Sequence, residues 1–181
     1  DYIDPKLGNL SDPFNLRGMD KTVERIFCAV DRQERILIFG DYDVDGITST
    51  ALLYTALKHF QADASYFIPE RLKTGYGLSL DSLKHCESTF QPNLLIAVDC
   101  GTTAVQETAY LQSKGIDVLI LDHHESHGVL PDSHAIVNPK IPHSTPPDIS
   151  YNYLCSAGLV FKVLHALLKI RPNPKLDLKK L

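Results

Sequence analysis

The chain has 181 residues, of which 44% are hydrophobic and 22% are charged, and this composition is typical of a globular protein with its own core. It excludes a disordered chain, a collagen-like repeat and a small disulfide-stapled domain, since the four cysteines are widely spaced and form no C-x-x-C pair. The formal net charge of −4 argues against nucleic-acid binding by phosphate neutralisation alone, so a phosphate-bearing substrate would need a metal ion or a few local cations.

The spacing of apolar residues predicts an irregular arm followed by alternating helices and strands. Residues 1–20 contain four proline or glycine residues and few periodic apolar positions, so they are predicted to form the arm. Apolar residues three and four apart, such as Met19, Val23 and Ile26, predict a first helix. The further predicted elements are a strand at 36–39, a helix at 47–60, a strand at 64–68, a helix at 79–87, a strand at 94–98, a helix at 104–114, strands at 118–121 and 135–137, and a helix at 154–169.

This alternation predicts the fold class. Strands that alternate with helices of this length imply right-handed crossovers and parallel pairing. We therefore predict a single-domain α/β fold with a mostly parallel, twisted sheet and helices on both faces. The predicted organisation is the arm at 1–20, the α/β domain at 21–140, and a loop and helix at 141–181 that lead toward a part of the protein absent from this chain.

Acidic residues follow three of the predicted strands. Ligands of open α/β sheets bind at the carboxyl ends of the strands, and these ends share one edge of the sheet. Hard carboxylate oxygens with imidazole nitrogens suit Mg²⁺ or Mn²⁺, and Zn²⁺ less well without thiolates. Carboxylates this close would repel one another without a cation, so a metal site is predicted there. Its candidate residues are Asp41, Asp43 and Asp45 after the first strand, Asp99 after the third, and Asp122, His123 and His124 after the fourth.

Plainer interpretations exist for each group of acids. An EF-hand loop would require Glu at its twelfth position, where this chain has Leu52, and a helix rather than a strand before the loop. Asp41 or Asp45 could cap the next helix, but capping explains only one acid. Asp99 could likewise belong to a strand-to-helix turn that Thr103 caps, and the sequence alone leaves this alternative open.

Two loops are candidates for contact with a phosphate-bearing substrate. At Gly101, Thr102 and Thr103, the glycine allows close backbone approach, while hydroxyls and helix N–H groups can bind oxyanions. In the loop after the second strand, Arg71 offers a fork for phosphate oxygens and Tyr76 a face for base stacking. The alternative for the second loop is a solvated turn with a packed tyrosine.

Taken together, these motifs resemble the DHH phosphoesterase superfamily and, within it, the bacterial RecJ-type exonucleases, which degrade single strands from the 5′ end. The resemblance extends over about residues 12 to 170, and five motifs occur in the family order. These motifs are Gly40-Asp41-Tyr42-Asp43-Val44-Asp45-Gly46, Ile68-Pro69-x-Arg71 with Gly75-Tyr76-Gly77, Val98-Asp99-Cys100-Gly101, Asp122-His123-His124-Glu125, and Ile136-Val137-Asn138-Pro139-Lys140.

The resemblance implies a role for each aspartate and histidine that follows the first, third and fourth predicted strands. Asp99 would bridge the two metal ions, while Asp122 and His124 would support catalysis and Asp41 would support the ligands from outside the coordination sphere. His124 could stabilise developing charge or protonate the leaving oxygen. A further Asp ligand and the DNA-binding domains of the family have no counterpart before Leu181, so this chain alone is expected to be a weak nuclease. The implied ligands of two Mn²⁺ or Mg²⁺ ions are Asp43, Asp45, Asp99 and His123.

The resemblance also implies a biological setting. The substrate would be single-stranded DNA in repair and recombination, the partner single-strand-binding protein, and the location the bacterial cytoplasm. No membrane association is expected, since apolar runs such as Leu94–Val98 are only strand-sized. The alternatives are another DHH phosphoesterase, such as an oligoribonuclease or a cyclic-dinucleotide phosphodiesterase, or a non-catalytic scaffold that binds single strands. A scaffold would be expected to have lost these acids, whereas all of them are present.

Overall fold

The protein is described here from a computed structural model that covers residues 6–70, 77–126, 128–141 and 151–180. Every element predicted from the sequence is present, with end points that shift by a few residues. Two short 3₁₀ helices, Leu7–Asn9 and Pro13–Asn15, lie in the arm. The other elements are α1 Met19–Asp31, β1 Arg35–Gly40, α2 Val44–His59, β2 Asp63–Phe67, α3 Leu80–Phe90, β3 Leu94–Val98, α4 Val105–Ser113, β4 Asp117–Leu121, β5 Ala135–Val137 and α5 Ser156–Ile170.

The five strands form one parallel sheet in the order β2-β1-β3-β4-β5. All five residues of the central strand β3 are buried, which is why its sequence is a continuous apolar run rather than an alternating one. Side chains alternate between the two faces of the sheet, so Ile36 and Ile38 of β1 enter one core cluster while Leu37 and Phe39 enter the other. The predicted α/β fold with a parallel sheet is therefore confirmed.

Helices cover both faces of the sheet, as predicted. Buried residues of α1, α2 and α5 form one core cluster with the sheet, and buried residues of α3 and α4 contribute to the cluster on the opposite face. Leu159, Val163 and Leu167 of the last helix are fully buried in the first cluster. The helix α5 thus belongs to the core of the α/β layers, although the predicted boundary at residue 140 stays a prediction.

The arm is fastened to α5 by hydrogen bonds. Lys162 Nζ donates to the Ser11 carbonyl at 2.9 Å, and Lys169 Nζ donates to Asp12 Oδ2 at 2.8 Å. The Tyr151 hydroxyl donates to the Asp12 carbonyl at 3.0 Å. The described part of the arm therefore packs on the core, although the two helices found in residues 6–18 are short 3₁₀ helices. Within the described ranges, no helix combines the length and the apolar content needed to cross a bilayer.

His165 on α5 is expected to make the fold sensitive to mild acid. Burial, followed by the nearby charges of Lys162 and Lys169, lowers its pKa below the ordinary value of 6.5. The unfolded chain therefore takes up a proton before the folded protein does, so stability falls as the pH decreases below 6.5. We expect His165→Gln to reduce the loss of melting temperature between pH 7 and pH 5, measured by circular dichroism. The exposed His59→Gln is the matched control, and an equal acid loss in both variants would contradict the assignment.

Candidate metal centre

The candidate site lies where β1, β3 and β4, three adjacent strands, end. Asp41, Asp99 and Asp122 follow these strands directly, and each is only 1% exposed. Carboxylates are seldom buried to this extent without a compensating partner. The structure thus brings all the predicted metal-site residues to one edge of the sheet, as the strand-end argument requires.

Asp43 and Asp45 are placed by the first turn of α2. Asp43 is the N-cap, and its Oδ1 accepts a hydrogen bond from the Gly46 amide at 2.9 Å, which lowers the pKa of the Asp43 carboxyl. Asp45 lies in the first turn of α2, but its side chain contacts the start of α5. Its Oδ2 accepts a hydrogen bond from the Ser156 amide at 2.7 Å, and its Oδ1 accepts one from the Ala157 amide at 2.8 Å. The alternative that Asp41 or Asp45 caps α2 is therefore wrong, since Asp43 holds that position.

Asp99 lies at the centre of the cluster. Its backbone is left-handed, with φ of 62°, and its Oδ1 accepts a hydrogen bond from the Ser156 hydroxyl at 2.8 Å. Its buried Oδ2 has no hydrogen-bond partner among the described residues. Burial, together with the charges of Asp45 and Asp43, raises the pKa of Asp99 to about 7. A buried oxygen without a donor is the position at which a cation would satisfy the carboxylate.

The donor atoms lie close enough to share metal ions. Ligand atoms of Asp41, Asp43 and Asp99 lie within 4.8 Å of one another, and so do those of Asp99, His123 and His124. His123 Nε2 is 3.4 Å from Asp99 Oδ1 and 3.5 Å from Asp45 Oδ2. Two donor sets that share one carboxylate, with oxygen and imidazole donors and no thiolate, fit Mn²⁺ or Mg²⁺. Asp41 also offers a buried Oδ1 that lacks a partner among the described residues.

Asp122 orients the ring of His124 and holds the backbone amide of His123. Its Oδ1 accepts from His124 Nδ1 at 2.7 Å and from the His123 amide at 2.7 Å, while its Oδ2 accepts from the Thr102 amide at 3.0 Å. Burial alone would raise the pKa of Asp122, but the hydrogen bonds from His124 and Thr102 outweigh it and lower the pKa to about 2. The same bond raises the pKa of His124. A carboxylate that holds one ring nitrogen fixes the tautomer and orientation of the imidazole.

Asn138 and Ser156 are site residues to which the sequence analysis assigned no role. Asn138 Nδ2 donates to Thr102 Oγ1 at 2.8 Å and to the His124 carbonyl at 2.9 Å, so it joins the loops after β3 and β4. Asn138 stands in a motif quoted for the family resemblance, which was the available signal. Ser156 stands in the segment 154–162, which is similar to a later family signature that is usually richer in glycine. That likeness gave no role for its hydroxyl, because its contacts come from residues more than 50 positions away along the chain.

The predicted phosphate loop borders a cleft of about 300 Å³. Gly101 has φ of 108°, a conformation that favours glycine, and a Cβ there would press on Ala97 and Ile120 at 3.3 Å. Thr102 is buried, and its amide and hydroxyl both bond within the protein, so it holds the loop together. The alternative that Thr103 caps α4 is wrong, because the N-cap is Ala104 and has no side-chain bond. The cleft is lined by Gly101, Thr103, Glu107, Asp122, His124 and Glu125, among others.

The other two predicted substrate contacts, Arg71 and Tyr76, lie outside the described residues. Their loop leaves β2, which ends on the same edge of the sheet as the acids. They therefore stay predictions.

Fold and site together define the class of protein: a parallel α/β domain that presents a donor set for divalent cations at its strand ends. The sequence profile of the DHH family's N-terminal domain matches residues 35–180, so the chain belongs to the DHH family. The resemblance predicted from the five motifs is confirmed.

The similar proteins within this family include RecJ exonucleases. The single-stranded-DNA-specific exonuclease RecJ of Bacillus subtilis is 40% identical over 178 residues, which make up 98% of this chain but only 22% of that protein. A crystal structure of exonuclease RecJ bound to manganese has a TM-score of 0.78 at 32% identity and covers 88% of this chain and 40% of the other. RecJ of Thermus thermophilus in complex with Mn²⁺ has a TM-score of 0.72 at 31% identity and covers 95% of this chain and 24% of the other. This chain thus spans less than half the length of each of these relatives.

Proposed function

We propose that this chain forms the metal-binding part of a RecJ-type exonuclease that hydrolyses phosphodiester bonds of single-stranded DNA from the 5′ end. The observation that carries the proposal is the position of Asp99, a buried carboxylate that belongs to two overlapping sets of metal donors. Its Oδ2 has no hydrogen-bond partner among the described residues. The similarity to RecJ exonucleases along nearly the whole chain favours this activity over an oligoribonuclease or a cyclic-dinucleotide phosphodiesterase.

The proposed ligands are Asp43, Asp45, Asp99 and His123, with Asp41 as a supporting carboxylate. When bound, Mn²⁺ or Mg²⁺ would supply Lewis-acid stabilisation of the phosphoryl oxygens and a nucleophile at neutral pH. The protein's own contribution is to hold these acids at fixed positions before the ions arrive. Asp45 is fixed by two amides of α5, and Asp43 is fixed by the amide of Gly46.

His124 is the proposed proton donor to the leaving oxygen. Its Nδ1 carries a proton toward Asp122, and this hydrogen bond raises the pKa of His124, which favours the doubly protonated ring that a proton donor requires. Asp122 thereby acts through His124, and Asn138 holds the carbonyl of the same residue. We further propose that Gly101, Thr103, Arg71 and Tyr76 contact the DNA.

The proposed setting is the bacterial cytoplasm, with single-strand-binding protein as the partner that presents the substrate. The support is that the similar exonucleases come from bacteria and that their names specify single-stranded DNA. The protein is expected to act in DNA repair and recombination, because single strands with free 5′ ends are intermediates of these processes.

The test is an exonuclease assay of the full-length protein on 5′-labelled single-stranded DNA, double-stranded DNA and single-stranded RNA. We expect Mn²⁺-dependent release of nucleotides from single-stranded DNA only, and loss of the activity when EDTA removes the metal. His124→Gln should lower kcat by about 10²- to 10⁴-fold, the usual contribution of a positioned general acid. Equal hydrolysis of duplex DNA, or activity that survives EDTA, would contradict the proposal.

The exposed His85→Gln is the matched control for His124→Gln, because it removes an imidazole away from the strand-end acids. Its kcat should equal that of the wild type. A His124→Gln protein that binds Mn²⁺ normally and retains the wild-type kcat would contradict the proton-donor assignment while leaving the metal centre intact.

A further inference from the structure

Ser156 bonds two carboxylates that follow different strands. Its amide donates to Asp45 Oδ2 at 2.7 Å, and its hydroxyl donates to Asp99 Oδ1 at 2.8 Å. The residue is fully buried and is the first residue of α5. A single residue of the last helix thus connects the motif after β1 with the motif after β3.

The hydroxyl of Ser156 is not needed to cap its own helix. The N-cap of α5 is Cys155, and no side-chain bond caps the helix. Within the described part of the chain, the hydrogen bond that Ser156 Oγ donates goes to Asp99. Its removal therefore leaves the hydrogen bonding of α5 unchanged and affects Asp99 directly.

The hydrogen bond decides which oxygen of Asp99 is left for a cation. The carboxyl torsion of Asp is soft and roughly two-fold, so the two oxygens could exchange places without a fixed donor. Ser156 holds Oδ1, and the other oxygen, Oδ2, is buried without a partner among the described residues. The positive end of α5 also faces Asp45, which offsets part of the repulsion between the acids.

We propose that Ser156 is a positioning residue of the metal centre, which couples Asp45 to Asp99 and presents Asp99 Oδ2 to the ion. The inference rests on the proposed function, since it assumes that Asp45 and Asp99 bind metal. Mg²⁺ is small and requires nearly ideal octahedral geometry, so its binding depends strongly on how precisely each ligand is placed. Larger cations tolerate ligands that are placed less precisely. Loss of the Ser156 hydroxyl should therefore weaken Mg²⁺ binding more than Mn²⁺ binding.

The experiment is calorimetric titration of the metal-free, full-length protein with Mn²⁺ and with Mg²⁺, before and after Ser156→Ala. We expect the variant to bind Mn²⁺ about 10-fold more weakly, as is typical when a group that orients a metal ligand is lost. The reduction for Mg²⁺ should be larger. A folded Ser156→Ala protein with unchanged affinity for both ions would overturn the inference.

Ser49→Ala is the matched control, because Ser49 is also a fully buried helical serine but its hydroxyl has no partner among the described residues. Its metal affinities should stay within about twofold of the wild type, since it orients no ligand. Ser156→Cys keeps the side-chain shape and replaces the hydroxyl with a weaker donor, so it provides the test if Ser156→Ala does not fold. Wild-type affinity in Ser156→Cys would overturn the inference. If the wild type itself binds neither ion, the proposed function fails along with it.

Discussion

Asp99→Asn in the full-length protein is expected to abolish Mn²⁺-dependent hydrolysis without lowering the thermal stability of the metal-free protein. The substitution removes the charge that two donor sets share, and a neutral amide cannot replace it opposite divalent cations. The folded protein loses nothing comparable, because Asn keeps an oxygen that accepts from Ser156 and is well tolerated at the left-handed backbone of this position. Burial and the charges of Asp45 and Asp43 oppose ionisation of Asp99, so removing the charge also relieves repulsion.

The measurement combines an exonuclease assay with melting curves at pH 8 in EDTA, above the pKa of about 7 at which Asp99 ionises. Activity should fall by about 10³-fold or more, because metal-ion catalysis supplies several kcal/mol of transition-state stabilisation and about 1.4 kcal/mol corresponds to a tenfold change in rate. Asp99→Ala is the informative comparison, because Ala in a left-handed conformation costs about 1–2 kcal/mol. It should lose activity and stability together. Hydrolysis by Asp99→Asn at the wild-type rate would contradict the proposed metal centre.

Gly46→Ala is expected to destabilise the fold by about 3 kcal/mol, the upper end of the range for overpacked positions. A Cβ at Gly46 would lie 2.5 Å from the Asp41 carbonyl oxygen and 2.7 Å from the Asp41 backbone nitrogen. These are backbone atoms at the end of a central strand, so they cannot move aside as a flexible side chain can. The change would also displace the Gly46 amide, which donates a hydrogen bond to Asp43. We therefore expect both the affinity for metal and the stability of the fold to decrease.

Urea denaturation of the metal-free protein measures this effect, and a calorimetric titration with Mn²⁺ measures the effect on the site. Gly8→Ala is the matched control, since a Cβ there would have no heavy atom within 4 Å. Its denaturation midpoint should equal that of the wild type. A Gly46→Ala protein as stable as Gly8→Ala would show that the turn after β1 can relax.

The succession of strands and helices along the chain, and the edge of the sheet that carries the acids, could be predicted from the sequence. Buried strands such as β3 appear as unbroken apolar runs, and the acids come directly after them, so local pattern and the geometry of parallel sheets were sufficient. The start of α2 was predicted three residues too late, because Asp43 caps it and brings the polar residues of the motif into its first turn. The contacts of Arg71 and Tyr76 stay predictions.

What the sequence determined by itself was therefore the fold class, the family, and the acidic and histidine residues that follow the strand ends. Tertiary structure alone decided which hydrogen bonds these residues form. Asp45 accepts from the first amides of α5, Asp99 accepts from the Ser156 hydroxyl, and Thr102 accepts from the Asn138 side chain. The physical reason is the distance along the chain between the residues that interact. Burial periodicity and strand ends are properties of short segments, whereas a hydrogen bond between residues 57 positions apart depends on how separate helices pack on the sheet.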